Sequence, residues 1–449
     1  MRSIMQNPFR SFMKKDPPVL VGRDYLIESF LVGITRPRQP DSFQLTALRT
    51  MGATTLLRAL AHPDGMLTKN QFAYCFTAPY INTGHLVLIY LDFARFDTSE
   101  EVIVWIYQQT RENLRLAPYW DDIEDLNPAK SLRHMLIQAE KDQKRVVWLC
   151  DHFDRPFEKV DSAQATALRP LVNFASFITA TEIPLTELNR DAAASLFSGQ
   201  LIPCNLNPLD IGEAYDLIKI ALDSAGNFTP VTLDEYQFLL PLLGRHPYFI
   251  LRGCEQWYEI RRDLPESPVK SLIELAKDKF LNVFRPDFIR FWNHVNSEDH
   301  DILISLVKSG GDGTKRLGKI NRLKDKGLVV LERGEFRPFS ELWATFIKEI
   351  VEQNSISSEK SGKKMPNLTP HEEAILKSLE TRPNQVCSYG DLIKNLWHEE
   401  DLPQNRHRLR QIVLSLRQKL KQSRVFKGKL ITHRDEGYEL RLPAHDKNE

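Results

Sequence analysis

The 449-residue chain is poor in the features that would assign its class directly. Its five cysteines are scattered and odd in number, which argues against a disulfide framework or a zinc site and favours a reducing compartment. No apolar run approaches the roughly 20 residues that span a bilayer, and the basic N-terminus lacks the apolar segment of a signal peptide. We therefore expect a cytoplasmic protein without membrane contact. The net charge of +1 gives no overall bias toward nucleic acid, although a balanced total can hide a local patch.

Short apolar runs alternate with helical patterns from residue 19 to about residue 210. Each run is predominantly apolar and suits a strand that is buried on both faces. The alternation predicts the α/β class, with a mostly parallel sheet wrapped by helices. The runs are FQLTAL, HLVLIYLDF, KRVVWLCD and FASFITAT.

We place domain boundaries where the composition or the periodicity changes. Strand patterns disappear after about residue 210, and a polar Ser/Lys-rich stretch near residue 360 has the composition of a flexible linker. The predicted segments are a loose N-terminal arm (1–18), an α/β core (19–210), a helical lid (211–285), a winged-helix module (286–352), a linker (353–366) and a second winged-helix domain (367–449).

Residues 47–55, ALRTMGATT, follow the first apolar run and open a helix, which is the layout of a phosphate-binding loop. The pattern G-x-x-x-x-G-K-[ST] is incomplete here. Ala47 replaces the first glycine, and Ala53 replaces the lysine that neutralises phosphate charge. The residues that remain for an anion or Mg²⁺ are Arg49, Gly52, Thr54 and Thr55.

A second element, KRVVWLCDHFDRP, is an apolar strand that ends in an acidic residue. Asp151 could hold Mg²⁺ together with Thr54, but His152 stands where such ATPases usually have a glutamate that polarises water. The sequence leaves two interpretations open: a nucleotide site without hydrolysis, or an ordinary strand and loop of an α/β core. No catalytic triad is indicated, and the twelve histidines lack the spacing of metal ligands.

These segments belong to an ordered series that resembles the STAND branch of AAA-type ATPases over residues 19–350. The resemblance implies a P-loop NTPase-like sheet with a helical lid, and ATP or ADP with Mg²⁺ as the candidate cofactor. It also implies that Thr181 and His246 face the nucleotide. The losses at Ala47, Ala53 and His152 imply an inactivated member. Besides the loop, the series comprises VGRDYL (21–26), LIYLDF (88–93), VVWLCDHFDRP (146–156), FITATEIPLTEL (177–188), LNPLDIGEAYDLI (206–218) and LLGRHPYFI (242–250).

Residues 286–352 fit the small winged-helix module that commonly follows such a lid. HDILISLV and KRLGKINRLKDKGLVVLERGEFRPFS have the pattern of two helices and a wing. We expect this module to pack against the lid and to bind nothing.

The stretch from Leu402 to Arg434 contains ten Lys/Arg and no Asp/Glu, which indicates a phosphate-backbone partner. On a helix over residues 404–422, an apolar stripe adjoins a narrow basic stripe, giving one face for a core and one for a groove. The apolar stripe is Leu409, Ile412, Val413, Leu416 and Leu420. The basic stripe is Arg406, Arg410, Arg417 and Lys421.

The surrounding segments complete a winged helix-turn-helix. Thr369 and Glu372 form a capping box at the start of LTPHEEAILKSL, and KGKLITHRDEGYEL has the pattern of a hairpin wing. Residues 367–443 resemble the OmpR/PhoB-type effector domain of bacterial regulators through LTP, Trp397, LRQKL and GYEL. The resemblance implies DNA contacts from Arg406, His407, Arg410, Ser415 and Arg417 on the third helix, and from Thr432 and Arg434 on the wing.

The favoured hypothesis is a DNA-binding transcription regulator or signalling switch, in which a largely inactivated STAND-like module controls the C-terminal reader. Its expected partners are double-stranded DNA at residues 367–449 and a protein bound to the STAND-like module, and oligomers stay open. Two alternatives remain. One is a nucleotide-binding ATPase switch, and the other is a non-enzymatic scaffold in a bacterial defence system.

Overall fold

The computed structural model divides into two compact units, residues 1–348 and 349–449. The α/β class is confirmed: five parallel strands form one sheet in the order β2-β3-β4-β1-β5. The residues described are 7–37, 40–63, 84–95, 99–114, 128–197, 200–223, 235–265, 267–309, 317–360, 368–397, 401–422, 428–433 and 436–442. The strands are β1 Ser42–Thr46, β2 Leu86–Asp92, β3 Arg145–Asp151, β4 Ala175–Thr181 and β5 Leu201–Asn205.

Helices cover both faces of this sheet, so that nearly every residue of its central strands β3, β4 and β1 is buried. All seven residues of β4 are buried, and Trp148 of β3 packs edge-on against Phe177 with ring centroids 4.8 Å apart. The helices of this part are α1 Pro8–Met13, α2 Asp24–Ile34, α3 Ala53–Ala61, α4 Ser99–Leu114, α5 Pro128–Lys141, α6 Asp154–Glu158, α7 Ser162–Leu168, α8 Leu185–Leu188 and α9 Arg190–Phe197.

The lid is helical, and a winged helix follows it. Within the winged helix two helices precede a two-stranded hairpin and a long final helix, as the sequence predicts. The lid helices are α10 Ile211–Asp223, α11 Tyr236–Leu243, α12 Pro247–Asp263 and α13 Val269–Asn293. The winged helix comprises α14 Ser297–Ser309, α15 Leu317–Asp325, β6 Val329–Glu332, β7 Glu335–Pro338 and α16 Glu341–Lys360.

Three predicted boundaries are wrong. The arm is not loose over residues 8–13, because α1 buries Phe9 completely and Asn7 donates from Nδ2 to the carbonyl of Glu255 (2.9 Å). The division at residue 286 falls inside α13, which continues through Pro286. The first half of the predicted linker, 353–360, continues α16, while residues 361–366 lie outside the described residues.

The C-terminal unit is a winged helix-turn-helix, as predicted. Its capping box is present: Thr369 accepts from the Glu372 amide, and Glu372 accepts from the Thr369 amide. Strand β10 lies between β8 and β9 in an antiparallel sheet. The elements are α17 Pro370–Glu380, β8 Val386–Ser388, α18 Tyr389–Trp397, α19 Pro403–Gln422, β9 Lys429–His433 and β10 Gly437–Arg441.

Among the described residues, no helix is long and apolar enough to cross a membrane.

Candidate functional sites

The loop that resembles a phosphate-binding loop joins β1 to α3 at the carboxyl edge of the sheet. A short 3₁₀ turn, Arg49–Met51, is followed by Gly52 with φ +87°, a left-handed conformation that favours glycine. The turn is held by neighbouring protein groups. Thr50 is buried, and its hydroxyl lies 2.9 Å from Nδ1 of His246. The Met51 carbonyl accepts from Arg23 (3.4 Å).

His246, at the start of α12, connects this loop to the first winged helix. Its Nε2 lies 2.8 Å from the carbonyl oxygen of Gly327 and must donate, so Nδ1 accepts the hydroxyl proton of Thr50. The ring is fully buried and stacks on Phe339 at 4.0 Å between centroids. Burial lowers the pKa of His246 to about 3, so the imidazole is neutral at neutral pH. The histidine expected to face a nucleotide is instead bonded to protein at both ring nitrogens.

Four of the predicted nucleotide-site residues line one small cavity at the ends of the strands: Arg49, Thr54, Asp151 and Thr181. Its volume is ≈ 40 Å³. That space holds a few water molecules, whereas pockets for small ligands typically measure about 300–1,000 Å³. The lining does not include Gly52, Thr55 or His246.

Protein donors surround Asp151, the end of the acidic strand. It is 2% exposed and accepts from the Tyr90 hydroxyl (2.8 Å) and from the His152 amide (3.1 Å). Burial, and then the charge of Asp151, raises the pKa of Tyr90 well above its ordinary value. His152, with φ +54°, places its Nδ1 3.0 Å from Asp92.

Within the described parts of the chain, no three acidic, histidine or cysteine side chains lie close enough together to hold a metal ion. This holds for the polar residues at the strand ends as well. Thr181 differs from Asp151. Its hydroxyl is buried at the cavity without a hydrogen-bond partner among the described residues. Thr54 and Asp151 thus share a cavity that could admit an ion, but Asp151 already accepts two hydrogen bonds.

Two residues of this group were missed by the sequence reasoning as site residues. Tyr90 and Asp92 both lie on β2, beside β3. The acidic end of LIYLDF was a usable signal, since neighbouring parallel strands bring their carboxyl ends to one edge of the sheet.

Glu182 follows β4 and also lines the cavity. Its carboxylate pairs with Arg290 of α13 and lies 3.6 Å from His294 Nε2.

In the C-terminal unit, the structure brings three predicted DNA-contact residues together. Arg417 of α19 donates to the hydroxyl of Thr432 on the wing strand β9 (2.7 Å). Arg410, two helical turns before Arg417, is exposed on the same face of α19. Burial, and next Tyr389, raise the pKa of Tyr438 on β10, while the charges of Arg410 and Arg417 lower it.

Other predicted contacts lie elsewhere. Arg406 forms two hydrogen bonds to Asp401 (2.6 and 2.8 Å) and lies 5.2 Å from the Tyr389 ring, so it is tied to the start of α19. Ser415 donates to Glu372 (2.6 Å) and therefore faces α17 rather than a groove. The side chains of His407 and Lys421, and all of Arg434, lie outside the described residues.

Glu372 anchors α19 to α17. Lys419 Nζ lies 2.6 Å from Glu372 Oε2, beside the bond from Ser415. Burial alone would raise the pKa of Glu372, but hydrogen bonds from Lys419, Ser415 and Thr369 lower it below its ordinary value. The carboxylate thus fixes the flank of α19 that faces α17.

The first winged helix is less suited to an anionic partner. Two cations of α15 are paired with acidic side chains of α14: Arg322 with Asp299 (2.7 Å), and Lys319 with Glu298.

Comparison with known proteins gives a family for the C-terminal unit. Residues 362–440 match the family described as "Transcriptional regulatory protein, C terminal". The chain therefore ends in an OmpR/PhoB-type domain, a DNA-binding domain of transcriptional regulators. Comparison with curated proteins found no match.

Solved structures with likeness to the chain include three archaeal proteins. A Walker-type ATPase of Pyrococcus abyssi is 13% identical, with 73% of this chain and 96% of that chain covered and a TM-score of 0.43. The ORC2 protein of Aeropyrum pernix, in ADPNP-ADP complexes, is 12% identical, with 79% and 99% covered and a TM-score of 0.43. Cdc6p of Pyrobaculum aerophilum is 12% identical, with 77% and 98% covered and a TM-score of 0.39.

Proposed function

We propose that this protein is a DNA-binding transcription regulator in which a catalytically inactive, STAND-like module governs the C-terminal winged helix. The observation that carries the proposal is the surface formed by Arg410, Arg417 and Thr432 within a domain of the transcriptional-regulator type. A helix of this kind fits the DNA major groove, which is about 12 Å wide.

The positions of the charges support a phosphate contact. Arg410 and Arg417 lie on one face of α19, and the described part of that helix has no acidic side chain. Arg417 also bonds Thr432, so the recognition helix and the wing present one continuous polar surface. Guanidinium groups bind phosphate oxygens through strong, charge-assisted hydrogen bonds.

Three features support an inactive nucleotide module. Ala53 supplies no charge for a β- or γ-phosphate, and His152 pairs with Asp92 at the position where a glutamate would polarise water. The cavity that the described residues enclose at the strand ends measures ≈ 40 Å³, which is small beside the pockets that usually hold such ligands. Thr50 and His246 bind the loop to protein, which leaves the module as a docking platform for a protein partner.

The test compares full-length variants in DNA binding at several salt concentrations. Arg410→Ala combined with Arg417→Ala should weaken binding and reduce the slope of log K against log salt by about 1.8, since each lost phosphate contact removes about 0.9. The charge-matched control is Lys270→Ala with Lys279→Ala, two exposed positions of α13. It should keep the wild-type slope.

Equal slopes for the arginine variant and the wild type would contradict the proposal. If the protein binds no DNA at any salt concentration, that result would instead favour a non-enzymatic scaffold in a bacterial defence system.

Two observations favour a second function, a nucleotide-responsive switch. The Thr181 hydroxyl is buried at the cavity without a partner among the described residues, and Gly52 leaves open space beside α3. Denaturing the purified protein and separating the released small molecules tests this function. ATP or ADP near one per chain would support a bound nucleotide with Mg²⁺. An empty protein with no thermal shift in Mg-ATP would exclude it.

A further inference from the structure

The exposed arc of α19 is bounded on both sides by contacts within the domain. Arg417 bonds the wing at Thr432, and Ser415 bonds α17 at Glu372. At about 100° per residue, Arg417 and Ser415 are about 160° apart around the helix. The arc between them is the part of α19 that can enter a groove.

Leu414 lies inside this arc. It is about 60° from Arg417 and about 100° from Ser415 around the helix axis, and its side chain is 51% exposed. Gln411 and Gln418 are exposed within the same arc. Among the side chains that the structure describes, those between Arg410 and the Ser415 edge of the arc are therefore uncharged. The sequence analysis followed the basic stripe and named none of these three residues as a DNA contact.

An exposed leucine alone is ordinary. Leu414 is distinguished by its neighbours, because Arg410 precedes it by four residues and Arg417 follows it by three, so both are adjacent on the helix surface. Two like charges beside the leucine oppose contact with a second copy of this face. They favour a polyanion whose surface offers an apolar group between its phosphates.

We propose that Leu414 is a specificity-determining residue that packs against the C5-methyl group of a thymine in the major groove. The inference rests on the proposed function, DNA binding by α19. The thymine methyl is the apolar group that base edges offer in that groove. Arg410 and Arg417 then position the helix on the backbone, while Leu414 discriminates between bases.

The experiment uses the full chain and a duplex that it selects from a random-sequence pool. Each thymine of the selected site is replaced in turn by uracil, which removes only the methyl group. At the position read by Leu414, the replacement should weaken wild-type binding about fourfold, the equivalent of about 0.8 kcal/mol for one buried carbon. Leu414→Ala should show no methyl dependence at that position.

Leu275→Ala is the matched control, since Leu275 is 57% exposed on α13. It should retain the wild-type methyl dependence. Leu414 is also exposed, so its variant should fold, which circular dichroism checks.

The outcomes separate the two proposals. If no thymine shows methyl dependence, or if Leu414→Ala keeps it, the role of Leu414 is overturned while DNA binding stands. If the dependence disappears only in Leu414→Ala, the inference is supported. If the full chain selects no duplex and binds none in low salt, the proposed function itself fails.

Discussion

Acidification should destabilise the N-terminal unit through the buried His246. Burial lowers its pKa to about 3 from an ordinary value of 6.5. In the unfolded chain the imidazole takes up a proton near pH 6.5, whereas the folded ring stays neutral to far lower pH. The stability that depends on the neutral ring is therefore present above pH 6.5 and is lost as the pH falls toward 3.

The magnitude follows from proton linkage. Between the two pKa values the free energy of unfolding falls by about 1.4 kcal/mol for each pH unit. Most of the interval from pH 7 to pH 5 lies in this range, so His246 should account for a loss of about 2 kcal/mol. The histidine is also bonded to Thr50 and Gly327, so the loss should loosen the phosphate-loop region.

Urea unfolding at pH 7 and pH 5 measures the effect, followed by tryptophan fluorescence. Trp397 is the sole tryptophan after residue 348, so the signal reports mainly the N-terminal unit. His246→Gln, which cannot titrate, should lose about 2 kcal/mol less than the wild type over this pH change. His134→Gln, at an exposed position of α5, keeps His246 and is the control.

The reasoning is refuted if His246→Gln and the wild type lose equal stability between pH 7 and pH 5. That result would mean that the ring takes up its proton equally well in the folded chain.

Two further predictions concern the C-terminal unit. Glu372→Gln should lower the free energy of unfolding of this unit by about 1–3 kcal/mol at neutral pH. The folded-state pKa of Glu372 lies below its ordinary value of 4.5, so the deficit should shrink as the pH falls from 4.5 through that lowered pKa. Exposed Glu373→Gln is the control in urea titrations, and a pH-independent deficit would contradict the ion-pair role. Gly437→Ala should cost about 3 kcal/mol or more, because an added Cβ would lie 1.9 Å from the Cys387 carbonyl oxygen. Gly390→Ala is the control, because a Cβ added there would lie 3.7 Å from its nearest neighbour. This variant should be neutral or stabilising in thermal denaturation. Equal effects of the two alanine substitutions would refute the steric argument.

Much of the fold is encoded locally. The four predominantly apolar runs became β1 to β4, since a strand buried on both faces is rich in apolar residues on both. Strand β5, LIPCN, was not among the predicted runs because it lies at the sheet edge and most of its residues are exposed or half-buried. The recognition helix and the capping box were likewise readable from spacing alone.

Long-range contacts decided the boundaries. Residues 1–18, which end in Pro17-Pro18, were expected to form a loose arm, yet Arg10 pairs with Glu255, 245 residues away, and Phe9 packs against Tyr236. A segment's own composition does not contain the partner that orders it. Pro286 marked no boundary, because α13 continues through it.

The sequence by itself determined which chemistry was missing from the loop, through Ala53 and His152, and which helix carries the cations. Only the tertiary structure decided what replaced that chemistry. Thr50, His246 and Gly327 lie far apart in sequence, and their hydrogen bonds exist only where the lid packs on the loop. Likewise, the resemblance to the effector domain implied that Ser415 contacts DNA. Only the packing of α17 against α19 shows that Ser415 bonds Glu372 instead, while Leu414 is exposed.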